Sequence, residues 1–132
     1  VGAKIRTGSF TSTDIELQSV EMDGSLTQTP EFPYNWMYDG SRPQMPGFEM
    51  EITCKSLFLI FKDSGEMDVG KANVFVNDVY CMTADPHKNN WLHCNAVLLF
   101  WETESRSHKV RIAVTEEDRN KKFTILGFGY TI

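Results

Sequence analysis

The chain has 132 residues and a formal net charge of -5, with 41% hydrophobic and 23% charged residues. That is one domain of ordinary globular composition, which excludes a disordered tail or a fibre, and no apolar run approaches the roughly 18 residues of a membrane span. Scattered Lys and Arg on an acidic chain offer no basic face to a phosphate backbone or an anionic membrane, so no nucleic acid and no membrane is expected as partner, and a neutral one fits best.

Taken in chain order, the hydrophobic pattern has a period of two nearly everywhere. Ile15, Leu17 and Val20 are irregular and read as an edge strand with a bulge. Residues 29–47 hold four of the five prolines and the rings of Phe32, Tyr34, Trp36 and Tyr38, and read as a long loop. Phe48, Met50, Ile52 and Cys54 alternate with Glu49, Glu51 and Thr53, as in a half-buried strand. Residues 57–61 and 97–101 are apolar on both faces, the pattern of central strands. Residues 74–76 and 79–81 flank Asn77-Asp78, a two-residue hairpin turn of the types that accept positive φ. A second long loop over residues 83–93 carries His87, Asn89, Asn90, Trp91 and His93. Val110, Ile112 and Val114 alternate with Lys109, Arg111 and Ala113. Residues 115–120 (TEEDRN) form one helical turn or a polar loop, and Glu116-Glu117-Asp118 reads as a solvated turn. Residues 123–126 read as a last strand that runs into Gly127 and Gly129, where glycine signals close backbone approach or a bend.

No stretch of ten residues has a helical period. The count is about eight or nine strands at roughly 8–14-residue spacing, which predicts an all-β, antiparallel two-sheet β-sandwich of jelly-roll type. The start at Val1-Gly2-Ala3 has no signal-peptide character and the finish at Tyr130-Thr131-Ile132 is strand-like. Both read as a single domain, residues 1–132, excised from a larger protein. Three cysteines cannot all pair. Cys54 and Cys94 sit in or beside apolar runs and read as buried hydrophobes, while Cys81 leaves one disulfide plus one free thiol open.

The sequence shows no catalytic set. There is no G-x-S-x-G, and Asp23-Gly24-Ser25 and Asp39-Gly40-Ser41 have the wrong order for the Gly-Asp-Ser of one esterase superfamily. Cys94 adjoins His93, but neighbours on a strand face opposite sides. His87, His93 and Asp85 match no zinc spacing, and Asp85-Pro86-His87 reads as a turn. No cofactor is expected. Asp63, Asp68 and nearby carbonyls are candidate oxygen ligands for a structural calcium.

What the two loops do offer is rings beside amides and charges. A pyranose stacks its C–H face on an aromatic ring while Asn, Arg or His satisfies its hydroxyls. The candidate ligand-binding residues are Trp36, Tyr38, Arg42, His87, Asn90 and Trp91. The competing reading packs Phe32, Tyr34, Trp36 and Met37 as a cap on the core, and Trp101 at a strand end reads as core or edge.

Four stretches carry a resemblance: PYNWMYDGSRP (33–43), FEMEITCKSLFLIFKDS (48–64), GKANVFVNDVYCMTADPHKNNW (70–91) and HKVRIAVTEEDRNKKFTILGFGYT (108–131), of which KKFTILGFGY is the most specific. Together they resemble the β-sandwich accessory domain attached to SGNH/GDSL-type carbohydrate esterases of fibre-degrading bacteria. The resemblance implies a secreted, non-catalytic module similar to carbohydrate-binding modules. It would bind plant cell-wall polysaccharide, hemicellulose or β-glucan, and target an attached catalytic domain. The alternative is a structural domain that packs against the esterase or mediates its oligomerisation. The resemblance supplies no ligand motif that maps onto these positions.

Overall fold

The computed structural model describes residues 2–15, 32, 34–88 and 94–132. Seven strands lie among them: β1 (Lys4–Arg6), β2 (Trp36–Tyr38), β3 (Phe48–Lys62), β4 (Ala72–Val76), β5 (Val79–Ala84), β6 (Cys94–Val114) and β7 (Phe123–Thr131), with one 3-10 turn at Glu116–Asp118. All strand pairs are antiparallel, in the order β2-β7-β3-β6-β4-β5, with β1 on β3. The fold class is the expected all-β antiparallel one.

Two long strands make this single ladder into two layers. Cys54 pairs with Arg106 but Ser56 pairs with Trp101, so one β3 residue opposes the four β6 residues 102–105. Extra residues on one strand bend it and break the ladder locally. Below the bend, β3 and β6 join β1, β4 and β5 in a five-strand half; above it, they join β7 and β2 in a four-strand half. The halves face each other. Phe48 of one stacks on Phe128 of the other (5.7 Å) and meets Trp36 at 5.3 Å.

The alternation of β3 follows the bend. Phe48, Met50, Ile52 and Cys54 are buried, then Leu57, Leu59 and Phe61. The step from 54 to 57 changes parity, which an unbulged strand could not do while keeping its apolar side inward. Opposite them on β6, His108, Val110 and Ile112 point inward.

A polar staple around the buried His108 holds the bend. Asn77 and Asp78 both have positive φ (51° and 65°), the primed hairpin turn read from the sequence. The Asn77 side chain reaches β6: its Oδ1 accepts the Lys109 N–H (2.9 Å), so its Nδ2 is the donor to His108 Nδ1 (2.9 Å). His108 Nε2 therefore carries the proton and donates to Glu102 Oε1 (2.5 Å), while Phe100 lies over the ring at 4.1 Å. Arg106 completes the set with two bonds to the Glu102 carboxylate. These bonds hold the Glu102 carboxyl below its usual range, the Arg106 bond first and the His108 bond assisting, against an opposing burial effect.

Several expectations change. Trp36–Tyr38 is a strand and not part of a loop, paired with residues 123–125 of β7. Residues 57–61 are central, but residues 94–101 of β6 pair only with β3 and form an edge among the described residues. Ile15 is exposed in a short turn, and Leu17 and Val20 lie outside the described residues. Cys54, Cys81 and Cys94 form no disulfide with one another. An added Cβ at Gly127 would meet nothing within 4 Å, so the bend and not close approach accounts for that site: the register shifts there, between Ile60 and Phe61 on the facing strand. Asp118 is not simply solvated, because its carboxylate accepts the Lys71 N–H (2.9 Å). Burial opposes that charge, and the Lys71 bond with the Lys121 ammonium outweighs it, leaving the pKa below the ordinary value.

Candidate functional site

β2 positions Trp36 and Tyr38 with alternate residues inward. Trp36 is half-buried against Phe48 and Phe128. Tyr38 is 4% exposed, its ring against Phe10 (5.7 Å) and its hydroxyl donating to the Arg119 carbonyl (2.5 Å). Burial and the neighbouring Asp39 carboxylate push that phenol up from its ordinary pKa. Arg42 is exposed in the following turn, whose entry is fixed by Asp39: its carboxylate accepts Ser12 Oγ (2.5 Å), Ser41 Oγ (2.5 Å) and the Ser41 N–H (2.9 Å) and is held at about 2.

His87 lies elsewhere. The expected turn is present, with the Asp85 carboxylate accepting the His87 N–H (3.0 Å), and the ring donates Nε2–H to the Val69 carbonyl (2.6 Å). No hydrogen bond or ring contact joins any two of Trp36, Tyr38, Arg42 and His87. Asn90 and Trp91, with Asn89 and His93, lie outside the described residues.

A cleft of about 480 Å³ opens beside Met37, with Asp14, Lys62, Glu66, Asp68 and Thr124 in its wall. Its polar floor is internally paired: the Lys62 ammonium and the Thr124 hydroxyl both donate to Asp14 Oδ2 (2.8 and 3.1 Å). Asp63 is buried, with Oδ1 accepting from Asn95 (3.1 Å) and Oδ2 without a hydrogen-bond partner, whereas Asp68 faces Lys122 at the surface. Among the described residues no group of three His, Cys, Asp or Glu side chains converges on a point. No serine hydroxyl and neither Cys54 nor Cys81 hydrogen-bonds to a histidine there, and burial raises both of these thiols above their usual pKa. Thiols placed in this way serve as packing groups.

The remaining candidates are the outer faces. On the five-strand half, one row crosses every strand: Arg6, Glu49, Arg111, Phe75 and Tyr80. The Arg111 guanidinium sits over the Phe75 ring at 4.1 Å, and Tyr80 meets Phe75 edge-on at 6.1 Å and is 57% exposed. On the four-strand half, Phe58 lies between Gly129 and Leu98, with Trp101 beyond Ser56. Trp101 is 81% exposed, Leu98 50% and Phe58 40%. The sequence pointed away from Trp101 as a platform because its place at a strand end looked like core or edge. The row through Tyr80 has no local signal in the sequence, because it depends on cross-strand register.

The sequence matches no protein-family model and no curated protein. Among solved structures, the chain is similar to a two-domain esterase active on acetylated mannans, co-crystallised with mannopentaose, with a TM-score of 0.60 and 13% identity over 98% of this chain and 34% of that one. Lower scores relate it to an acetyl xylan esterase from the rumen bacterium Butyrivibrio proteoclasticus (TM-score 0.46, 15% identity, 65% of this chain and 25% of that one). A family two carbohydrate esterase from Cellvibrio japonicus gives 0.45, at 12% identity over 99% of this chain and 36% of that one. The chain thus spans 25–36% of the length of these structural neighbours, and all three are carbohydrate esterases.

Proposed function

We propose that this sandwich is a non-catalytic accessory module of a secreted carbohydrate esterase and that it binds neutral cell-wall polysaccharide. The observation that carries the reading is the likeness over 98% of the chain to 34% of a two-domain esterase active on acetylated mannans. The net charge of -5 favours a neutral ligand over a polyanion. Binding through a few rings is modest in affinity after association costs, and tethering then raises the effective concentration of substrate for an attached domain. Affinity electrophoresis through gels containing soluble glucomannan, xylan, mixed-linkage β-glucan or polygalacturonate tests this. Retardation by a neutral polysaccharide is the expected result, and free migration in every gel overturns it.

A second reading rests on the apolar outer face of Phe58, Leu98 and Trp101. Here the module packs that face against an attached catalytic domain. Exposed apolar surface of this kind marks interaction sites. Under this reading the isolated chain self-associates in sedimentation experiments and Trp101→Ser restores a monomer; a monomer at all concentrations counts against it.

A further inference from the structure

The polysaccharide reading leaves open where a glycan sits, and the following rests on that reading. We infer that the ligand site is the outer face of the five-strand half, with Tyr80 as the stacking platform and the Asn73 amide as the hydrogen-bonding group, and that its ligand is an uncharged glycan chain.

A bulge builds the site. Residues 80 and 83 stand three apart on β5, and in a regular strand they would face opposite sides. Val74 pairs with Met82 and Phe75 with Tyr80, so Cys81 is an extra residue opposite no partner. That insertion turns Tyr80 onto the face that Thr83 already occupies, and bulges commonly re-aim a side chain in this way. Cys81 itself points its thiol to the Leu99 carbonyl (3.6 Å), across the sandwich.

The hydrogen bonds that result run in one direction. Thr83 Oγ1 donates to Asn73 Oδ1 (2.8 Å). A hydroxyl has one proton, so Tyr80 must donate its own to Thr83 Oγ1 (2.7 Å). The chain therefore ends on two different groups. At one end the Tyr80 phenol oxygen keeps acceptor capacity, and at the other the Asn73 amide keeps two N–H donors that have no partner among the described residues. A sugar hydroxyl is both donor and acceptor, so this pair of ends answers neighbouring hydroxyls of one ring. Arg111 covers Phe75, while Tyr80 remains more than half exposed for the pyranose C–H face.

The same face continues into an open trough lined by Lys71, Asn73, Thr83, Glu116 and Glu117. The trough thus extends the platform beyond one ring, as a chain of linked sugars needs. One lysine against two glutamates gives no net attraction for a polyanion, which selects against uronic-acid polymers.

The test is affinity electrophoresis of the 132-residue chain and three variants in the gels named above. Wild type slows in at least one neutral gel and not in polygalacturonate. Tyr80→Ala weakens binding about tenfold through loss of the ring, and Asn73→Asp, which keeps the Thr83 bond but removes both donors, weakens it by about fivefold or more. Tyr80→Phe keeps the ring and stays within about threefold of wild type. Thermal unfolding of each variant near the wild-type temperature confirms that these are surface effects. Retardation of wild type with Tyr80→Ala and Asn73→Asp unchanged overturns this site and leaves the polysaccharide reading standing. Free migration of wild type in every gel overturns both, and retardation in polygalacturonate overturns the uncharged ligand.

Discussion

The two outer faces of the sandwich share strands β3 and β6 yet differ in kind. Around Arg111 the rings are attended by charge and hydrogen bonds: a guanidinium lies over Phe75, and Tyr80 starts a directed chain to Asn73. Around Phe58 there is little beyond apolar surface, with Gly127 and Gly129 adding no side chain to cover it and Ser56 and Thr131 spending their hydroxyls on each other (2.7 Å). The inner alternation is the same in both halves, so the core does not determine what the outside presents. A face with hydrogen-bonding groups left over can recognise a polar ligand by its stereochemistry. A face of bare rings gains from being covered by almost anything apolar.

Both faces depend on one core, and the largest effect should come from breaking it. Phe48→Ala removes the ring on which Trp36 and Phe128 rest and should cost about 3–5 kcal/mol in urea unfolding, with both halves lost in a single transition. Two separated transitions would mean that the halves are independent, and the comparison would become one of two domains.

Next in size is the staple at the bend. Asn77→Gly keeps a residue that suits positive φ but leaves the buried His108 Nδ1 without its donor, and should destabilise by about 1–3 kcal/mol. A turn whose only requirement is backbone conformation would lose nothing, or gain slightly. The two outcomes separate a local turn from one that fixes the imidazole proton on Nε2.

A smaller effect comes from acid. Asp39 is held at about 2 against an ordinary 3.8, chiefly by the Ser12 hydroxyl and then by Ser41. Its folded pKa is depressed, so its stabilisation is present above the ordinary value and is lost as pH falls from about 4 through about 2. Unfolding temperatures measured across that window should fall more steeply for wild type than for Ser12→Ala, because the variant has less of this stabilisation to lose. Parallel curves would show that the Ser12 bond does not anchor the turn.

The smallest effect is expected on the bare face. Trp101→Ser should change stability by no more than about 0.5 kcal/mol, since the ring is exposed and touches little. A loss of several kcal/mol would make Trp101 a packing residue and remove the contrast between the faces.

The sequence made the local parts of this fold legible. Period two on residues 48–54 and 110–114, and the Asn77-Asp78 turn, are contained in neighbouring residues and appear in the structure as read. The misreadings involve what neighbours cannot encode. Trp36–Tyr38 looked like loop because prolines surround it, yet pairing with β7 makes it a strand. Residues 97–101 look central because apolar residues occupy both faces, yet among the described residues β4 pairs with β6 only at 110–114 and leaves 94–101 with β3 on one side. The candidate site was hidden for the same reason. Tyr80, Thr83 and Asn73 share a face only because Cys81 bulges, and a bulge is a property of two strands in register. Of the candidates drawn from the loops, Trp36 and Tyr38 turned out to have their rings engaged by Phe48 and Phe10, a packing decision made by residues distant in sequence.

The most direct test of the contrast is an NMR titration of the isotope-labelled chain with uncharged pentasaccharides of mannose, xylose and glucose. With the oligosaccharide that binds, the Asn73 side-chain amide and the β4 and β5 backbone around Tyr80 should shift, while the Trp101 indole N–H stays in place. Movement of the Trp101 indole with Asn73 and Tyr80 unchanged would contradict it, and would give the ligand to the bare face.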